Sequence, residues 1–294
     1  MGGLDTVKQG NLERLQRMET EGTLRADEQL SHGGGVRECI FEPNMRRRHG
    51  EVGVLIALRI LLRNGADTRR RYEFGYSCLH DPRGGHVTPD IANLLLEYGA
   101  DVNATNYNGQ TALFHCTPAV ANVLIAADAD IDIRDKLGQT SIFSSGPEVT
   151  RILIANGADV NSRDNKQKTP IFKAIPYMVE ILLENNADVN AKDHNAETPI
   201  FEAIREWDMQ KAQRLYDAGA NLYQVSQRTG QTALEYATSR SRSALTATMR
   251  EESKNKRGEA FTMGIMPRTG VDSNVSVLDA EIVRMILEIE KNLP

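Results

Sequence analysis

Two short pairs of cysteine and histidine are the residues of this sequence whose types could bind a metal ion. Cys78 and His80 are separated by one residue, and His115 and Cys116 are adjacent. Structural zinc sites use characteristic cysteine and histidine spacings, and neither pair matches such a pattern. We interpret the cysteines as small buried side chains. The sequence therefore predicts no metal and no cofactor.

The remaining histidines give no sign of catalysis. A catalytic site needs a nucleophile or a base together with a partner that orients it. The sequence has no Gly-rich phosphate loop and no paired-carboxylate motif. The other four histidines fall in predicted loops or turn tips: His32, His49, His86 and His194. We therefore predict a protein that is not an enzyme.

Two arginine triplets form the one strongly basic feature. They are Arg46, Arg47 and Arg48, followed by Arg69, Arg70 and Arg71. The stretch from Phe41 to Arg71 contains eight arginines and only three carboxylates. Such an excess suits a solvated face or a patch for an acidic protein. It leaves open a nucleic-acid-associated regulator, although we expect nucleic acid to be a poor candidate for the partner.

The composition predicts a soluble folded protein of a reducing compartment. It is 40% hydrophobic and 5% aromatic, with a formal net charge of -5. The three cysteines are too few and too scattered for a disulfide framework. The longest apolar stretch, Val52 to Leu62, is short and contains Arg59, which is unsuited to a membrane span. No secretory signal is visible at the start, so we expect a cytoplasmic protein.

An internal repeat determines how all these residues are positioned. The tetrapeptide Ala-Asp-Val-Asn begins at Ala100, and related tetrapeptides begin at Ala129, Ala158 and Ala187, each 29 residues further along. Prolines recur with the same period, at Pro89, Pro118, Pro147 and Pro176. A Gly-Gln-Thr marker runs in phase with both, at 109–111, 138–140 and 230–232. A fixed period in this range is typical of stacked repeat architectures.

The order of these markers resembles the ankyrin repeat. That family has Gly-x-Thr-Pro-Leu, then a Leu-Leu helix, then Gly-Ala-Asp-Val-Asn, and the clear copies here run from about Gly50 to Ala237. The resemblance implies an all-α solenoid of stacked helix-turn-helix units with β-turn fingers, to which the sequence adds a C-terminal helix. Each unit buries its apolar face only against its neighbours.

Each copy carries start and stop residues for its helices. Threonines such as Thr169 and Thr198 can accept a backbone N–H and cap the first helix, and the prolines that follow them suit its first position. Glycine usually follows the second helix, where a left-handed residue is needed. Asp128 and Asn186 replace this glycine in two copies, and both residue types tolerate that conformation.

The copies depart from the family in two respects. The 29-residue units are about five residues short, and the loss falls between the first helix and the in-phase proline, so the first helix should have little more than one turn. We expect a shallower groove and altered curvature from Thr111 to Leu183. His80 keeps the family's histidine, whereas phenylalanine replaces it in the next copies, which predicts an apolar ladder of Phe114, Phe143, Phe172 and Phe201.

The markers also divide the chain. We expect a degenerate N-terminal capping repeat at 1–30, an irregular repeat with a Gly/Arg-rich insertion at 31–71, regular ankyrin repeats at 72–226, a C-terminal capping repeat at 227–256, and a linker with an amphipathic helix at 257–294. That last helix has apolar residues at helical spacing from Leu278 to Ile289. It either docks on the last repeat or is a detachable partner-binding helix.

The resemblance implies binding of another protein, with contacts at the turn tips and on the first helix. Carried onto this sequence, the tip residues are Tyr107, Asn108, Gln110, Lys136, Leu137, Gln139, Asn165, Lys166, Lys168, His194, Asn195 and Glu197. Tyr107 and Leu137 are the strongest candidates, because exposed apolar side chains favour a dry contact. Trp207 is either a core residue or an anchor for the partner.

The biological role has more than one interpretation. We expect a chain that is monomeric on its own and that sequesters or neutralises one partner, as an inhibitor, immunity-type protein or adaptor does. A secreted effector that acts on host proteins by binding them is the alternative. No membrane partner is predicted.

Overall fold

The structure consists of two helical units. The computed structural model describes residues 6–7, 9–22, 24, 35–41, 43–82 and 84–239. These residues divide into an amino-terminal unit that ends at Asp164 and a carboxy-terminal unit that begins at Asn165. Regular structure in the described residues is helical, so the all-α prediction is confirmed, and an isolated antiparallel bridge joins Val225 and Thr232.

The amino-terminal unit contains six α-helices in its described part. They are α1 (Leu12–Thr20), α2 (Gly35–Phe41), α3 (Pro43–Arg63), α4 (Pro89–Glu97), α5 (Pro118–Ala126) and α6 (Pro147–Ala155). Short 3-10 turns lie at Glu73–Gly75, Ala112–His115 and Ser141–Phe143. Gly50 interrupts α3 with φ 63 and ψ -163. Helices α4, α5 and α6 pack on one another in chain order.

The carboxy-terminal unit repeats the same plan. Its helices are α7 (Pro170–Lys173), α8 (Pro176–Glu184), α9 (Pro199–Glu206) and α10 (Met209–Asp217), and residues 233–239 are also helical. Helix α7 packs on α8 and α9, and α10 packs on α8 and α9. Helix pairs are therefore stacked within this unit, as the resemblance implies.

The first helix of the 29-residue copies is reduced to a single turn, as predicted. Residues Ser141–Phe143 form only a 3-10 turn, and α7 has four residues. The longer copy has a full eight-residue helix at α9. The missing residues therefore come from the first helix, while the second helices keep nine residues each. The groove depth and curvature expected from this loss stay a prediction.

The end of each second helix has the left-handed residue that the sequence requires. Asp128 has φ 60 and Asn186 has φ 64, where Gly99 and Gly157 have φ 80 and 95. Glycine adopts this conformation without strain because it has no Cβ, and Asp or Asn do so at a modest cost. The predicted replacement of glycine at these two positions is confirmed.

The predicted threonine cap forms in the last copy, where Thr232 Oγ1 accepts the N–H of Glu235 at 3.1 Å, but it is missing in two others. Thr169 and Thr198 make no cap hydrogen bond. Instead, Thr88 and Thr117 precede the second helices α4 and α5, and their hydroxyls accept the N–H groups of Ile91 and Val120. The hydroxyls of Thr169 and Thr198 are buried without a hydrogen-bond partner.

The copy that contains His80 shows the hydrogen bond that the hydroxyls of Thr169 and Thr198 lack. The Ser77 hydroxyl and His80 Nδ1 are 2.8 Å apart, and His80 Nε2 is 2.9 Å from the carbonyl oxygen of Gln110 in the next repeat. Burial lowers the pKa of His80 to about 4, so the ring is neutral near pH 7. Phe172 and Phe201 occupy the equivalent positions after Thr169 and Thr198, and phenylalanine offers a hydroxyl no hydrogen-bonding atom.

The four phenylalanines are core residues, as predicted. Phe114, Phe143, Phe172 and Phe201 are all buried. In the amino-terminal unit the turns that hold Phe114 and Phe143 are in contact, and in the carboxy-terminal unit α7 and α9 bring Phe172 and Phe201 into the same stack. Apolar packing between successive copies therefore replaces the histidine network seen once at His80.

Predictions for the end of the chain lie outside the described residues. They include the second half of the capping repeat at 227–256 and the linker with its amphipathic helix at 257–294. Among the helices that the structure does describe, none combines the length and the apolar character needed to cross a membrane.

Candidate protein-binding surface

Three β-turn fingers are closed by the side chain of one aspartate or asparagine at their base. Asp135 Oδ1 accepts the backbone N–H groups of Leu137 and Gln139 at 2.8 and 2.9 Å. In the same way, Asn106 Oδ1 accepts the backbone N–H groups of Asn108 and Gln110. Asp193 Oδ1 accepts those of Asn195 and Glu197. Such turns closed by Asx side chains fix the backbone at the tip.

Neighbouring fingers are joined by backbone hydrogen bonds at their tips. In the amino-terminal unit Tyr107 N–H donates to the carbonyl of Phe74 at 2.8 Å, and Lys136 N–H donates to Asn108, also at 2.8 Å. In the carboxy-terminal unit His194 donates to Lys166 at 3.0 Å. The side-by-side stacking of the fingers is therefore confirmed within each unit.

Side chains also connect the fingers, and this corrects the predicted site. Gln139 Nε2 donates to Asp164 Oδ2 at 3.2 Å, and Gln110 Nε2 reaches Asp135 Oδ2 at 3.5 Å. Gln139 is buried and Gln110 is half-buried. The prediction that Gln139 is an exposed tip residue is wrong, because its amide is used to hold the next finger.

Glu197 occupies the same position in the carboxy-terminal unit, and its predicted exposure is also wrong. Its carboxylate accepts from Arg205 at 2.5 Å, from Ser226 at 2.9 Å and from Arg228 at 3.1 Å. Only 2% of the residue is exposed. Lys168 is half-buried and pairs with Glu202 at 2.5 Å. These charged groups hold the unit together.

The remaining tip residues do face solvent. Tyr107 is 66% exposed and Leu137 is 58% exposed. The other exposed tip residues are Asn108, Lys136, Asn165, Lys166 and His194, while Asn195 is half-buried. Trp207 is half-buried and has a left-handed backbone at the end of α9, and this arrangement favours neither of its predicted roles.

Phe74 is an exposed apolar tip residue that sequence reasoning missed. It is 70% exposed and directly precedes Gly75, as Asn108 precedes Gly109 and Leu137 precedes Gly138. That glycine marks the tip in these three copies and could have identified Phe74. We name Phe74, Tyr107 and Leu137 the tip row.

The two arginine triplets differ in their surroundings. Arg71 Nη1 donates to the carbonyls of Gly75 and Thr105, at 3.4 and 2.7 Å, and so joins two fingers. Arg69 Nε reaches the carbonyl of Gly99 at 3.4 Å. Arg46 is half-buried, while the other five arginines of the two triplets are exposed. The basic patch stays a prediction.

The cysteine and histidine pairs make structural contacts. Cys78 Sγ donates to the carbonyl of Thr68 at 3.1 Å, and burial raises the pKa of the Cys78 thiol to about 12. Both ring nitrogens of His80 are hydrogen-bonded. Within the described residues, no three His, Cys, Asp or Glu side chains come together as metal ligands would.

Comparison with known proteins agrees with this geometry. The ankyrin repeat model matches residues 74–107, and the model for three ankyrin repeat copies matches residues 118–193. Human ASB11 has an ankyrin repeat domain whose crystal structure superposes on this chain with a TM-score of 0.54 at 29% identity, covering 62% of this chain and 86% of that one.

Two curated relatives also share part of the chain. Protein phosphatase 1 regulatory subunit 27 of Homo sapiens is 31% identical over 107 residues, and that of Mus musculus is 29% identical over 107 residues. Both alignments cover 36% of this chain and 62% of the relative. Ankyrin repeats are typically non-catalytic protein-binding modules. The sequence markers, the stacked fingers and these matches agree that this chain is an ankyrin-repeat protein, with its repeats established over residues 74–193.

Proposed function

We propose that this chain binds a partner protein through the tip row of its amino-terminal unit. The observation that carries the proposal is the exposure of Phe74, Tyr107 and Leu137, at 70%, 66% and 58%, on three successive fingers. Exposed apolar side chains that are grouped together typically mark a binding surface. Burial of such a side chain by a partner contributes about 1.5–3 kcal/mol.

The fingers present these side chains on an ordered backbone. Tyr107 is held by its bond to Phe74, and Leu137 is held by the carboxylate of Asp135. A partner would therefore lose little free energy in ordering the loops, and this favours affinity for a given area. The polar tip residues Asn108 and Lys136 suit the rim of such an interface.

The most economical role for this surface is sequestration or inhibition of one partner. The described residues supply a rigid surface with a grouped apolar row and polar neighbours, which is sufficient to cover a site on another protein. Adaptor and secreted-effector roles use the same binding step and differ in where the partner is found.

A phosphatase is one partner class to include in the test. The curated relatives are regulatory subunits of protein phosphatase 1 by name. Purified protein phosphatase 1 should therefore be assayed for binding and for a change in activity. The tip row would then be expected to contact the phosphatase.

The experiment is affinity capture with matched variants. Wild-type chain and Tyr107→Ser should be immobilised and exposed to the same native lysate, and the captured proteins should be quantified by mass spectrometry. The matched control is Tyr177→Ser, since Tyr177 is 50% exposed on α8 in the other unit. A partner lost with Tyr107→Ser and kept with Tyr177→Ser supports the proposal, whereas equal capture by all three proteins contradicts it.

A further inference from the structure

A basic cavity lies in the amino-terminal unit between the start of α3 and the loop before α4. It has a volume of about 270 Å³ and is lined by Phe41, Pro43, Arg46, Arg47 and His86. The tip row lies on other residues. The cavity brings together side chains that are about forty positions apart in the chain. It is therefore formed by the fold and cannot be recognised from a sequence motif.

Three nitrogen atoms at this place are buried without a hydrogen-bond partner. They are Arg46 Nε, His86 Nδ1 and, beside Phe41, Arg37 Nη1. A buried donor that makes no hydrogen bond is costly, and native proteins contain few of them. Two such atoms on guanidinium groups, beside a buried imidazole nitrogen, indicate a site that is completed by an anionic ligand.

The basic side chains are held in place before any ligand arrives. Arg46 Nη2 donates to the carbonyl of His86 at 2.7 Å. The guanidinium carbon of Arg37 is 5.0 Å from the ring centroid of Phe41, a distance typical of a cation–π contact. The rings of Phe41 and His86 have centroids 5.3 Å apart. This packing fixes the donors relative to one another.

One carboxylate faces the same region, and only one of its two oxygens is hydrogen-bonded. Asp81 Oδ2 accepts the backbone N–H groups of His86 and Val87 at 2.6 and 3.0 Å. Its other oxygen, Oδ1, is buried without a hydrogen-bond partner and is 3.6 Å from His86 Nδ1, which is longer than a hydrogen bond. Three guanidinium groups therefore lie near a single carboxylate among these side chains, and the local charge favours an anion.

We infer that this cavity binds a phosphate monoester group carried by a partner polypeptide. Such a group has a charge of about -1.5 to -2 and three strongly accepting oxygens, which match donors that converge from several side chains. Arginine is suited to this because its planar fork of N–H groups can bind a phosphate with two hydrogen bonds. The site is separate from the tip row and does not depend on it.

The probe is a degenerate peptide pool with one fixed phosphoserine and random flanking positions. Retention of this pool on immobilised full-length chain should be compared with retention of the same pool carrying unmodified serine. We expect the phosphorylated pool to be retained selectively, and Arg47→Gln to weaken retention at least about tenfold, with strong weakening by salt. Arg47 is exposed, so this substitution should leave the fold intact, which circular dichroism can check.

Matched arms separate the possible sources of the signal. Arg70→Gln removes an exposed arginine that does not line the cavity and should leave retention unchanged. Equal retention of both pools, or equal loss in Arg47→Gln and Arg70→Gln, would overturn the inference. Preference for single-stranded DNA over the phosphorylated pool, or competition by inorganic phosphate alone at equal strength, would also overturn it, since the site would then not select a phosphorylated polypeptide.

Discussion

The aromatic ring of Tyr107 lies directly against the backbone of Gly75 on the preceding finger. A Cβ atom added to Gly75 would stand 2.4 Å from Tyr107 Cδ1 and 2.8 Å from its backbone nitrogen. Tyr107 N–H donates to the carbonyl of Phe74 at 2.8 Å. The positions of Phe74 and Tyr107 in the tip row therefore depend on the absence of a side chain at Gly75, which lets Tyr107 approach the preceding finger.

Gly75→Ala should destabilise the protein by about 2–4 kcal/mol. The reason is twofold: Gly75 has φ +74, which strains an alanine, and the new methyl group would overlap Tyr107. Gly99→Ala is the control, because Gly99 has φ +80 and open space around its Cβ position. That variant should cost only about 1 kcal/mol. Urea denaturation measures both, and equal losses would contradict the close contact.

Gln167→Gly and Ala196→Gly should each stabilise the carboxy-terminal unit. Both residues stand at the tip position that is glycine in other fingers, and both have positive φ, 61 and 56. Release of this strain outweighs the greater freedom of glycine in the unfolded chain, with an expected gain of about 0.5–1 kcal/mol.

A glycine-to-alanine substitution at the tip of another finger is the comparison for these two variants. Gly230 has φ +69 and open space at its Cβ position, so Gly230→Ala should lower the melting temperature. A fall in stability for Gln167→Gly would show that the left-handed tip is not strained.

Thr198→Val should leave the free energy of unfolding unchanged or raise it slightly. Its hydroxyl is buried without a partner, so replacement by a methyl group of similar shape removes a cost. Ser77→Ala is the matched change in a copy that keeps the histidine, and it removes the 2.8 Å contact with His80. It should cost about 1 kcal/mol. Thermal unfolding of both variants distinguishes the two environments.

The stability of the protein should fall between pH 6.5 and pH 4 because of His80. Burial lowers its pKa from 6.5 to about 4, so the unfolded chain binds the proton first as the pH falls. The free energy of unfolding should thus be about 2 kcal/mol lower at pH 5 than at pH 7 from this group alone. His80→Phe should remove that part of the pH dependence. An unchanged slope in this variant would mean that His80 is not buried in its neutral form.

The regular part of the fold could be predicted because its signals are local. The left-handed residues at Asp128 and Asn186, the single-turn first helices and the stacked fingers all follow from residue types at fixed spacing. The threonine cap was predicted correctly at Thr232 and wrongly at Thr169 and Thr198, in whose copies phenylalanine has replaced the histidine. That loss is visible in the sequence, but its consequence for the hydroxyl requires the packed structure.

The candidate site was predicted only in part because exposure depends on the neighbouring finger. Tyr107 and Leu137 are exposed as expected, whereas Gln139 and Glu197 turn inward to bond with residues of the next finger. Phe74 was missed, although Gly75 lies eight residues after Asp67, as Gly109 lies eight residues after Asp101. The basic cavity could not be predicted at all, since Arg46 and His86 meet only through the packing of α3 against the loop before α4.

The central claim is that the tip row binds a partner protein. Its most direct test is quantitative capture of that partner by wild-type chain and by a Phe74→Ser, Leu137→Ser double variant, with folding of both checked by circular dichroism. We predict at least about a hundredfold loss of affinity in the double variant, since two exposed apolar side chains would no longer be buried in the complex. An affinity within a factor of two of wild type would contradict the claim.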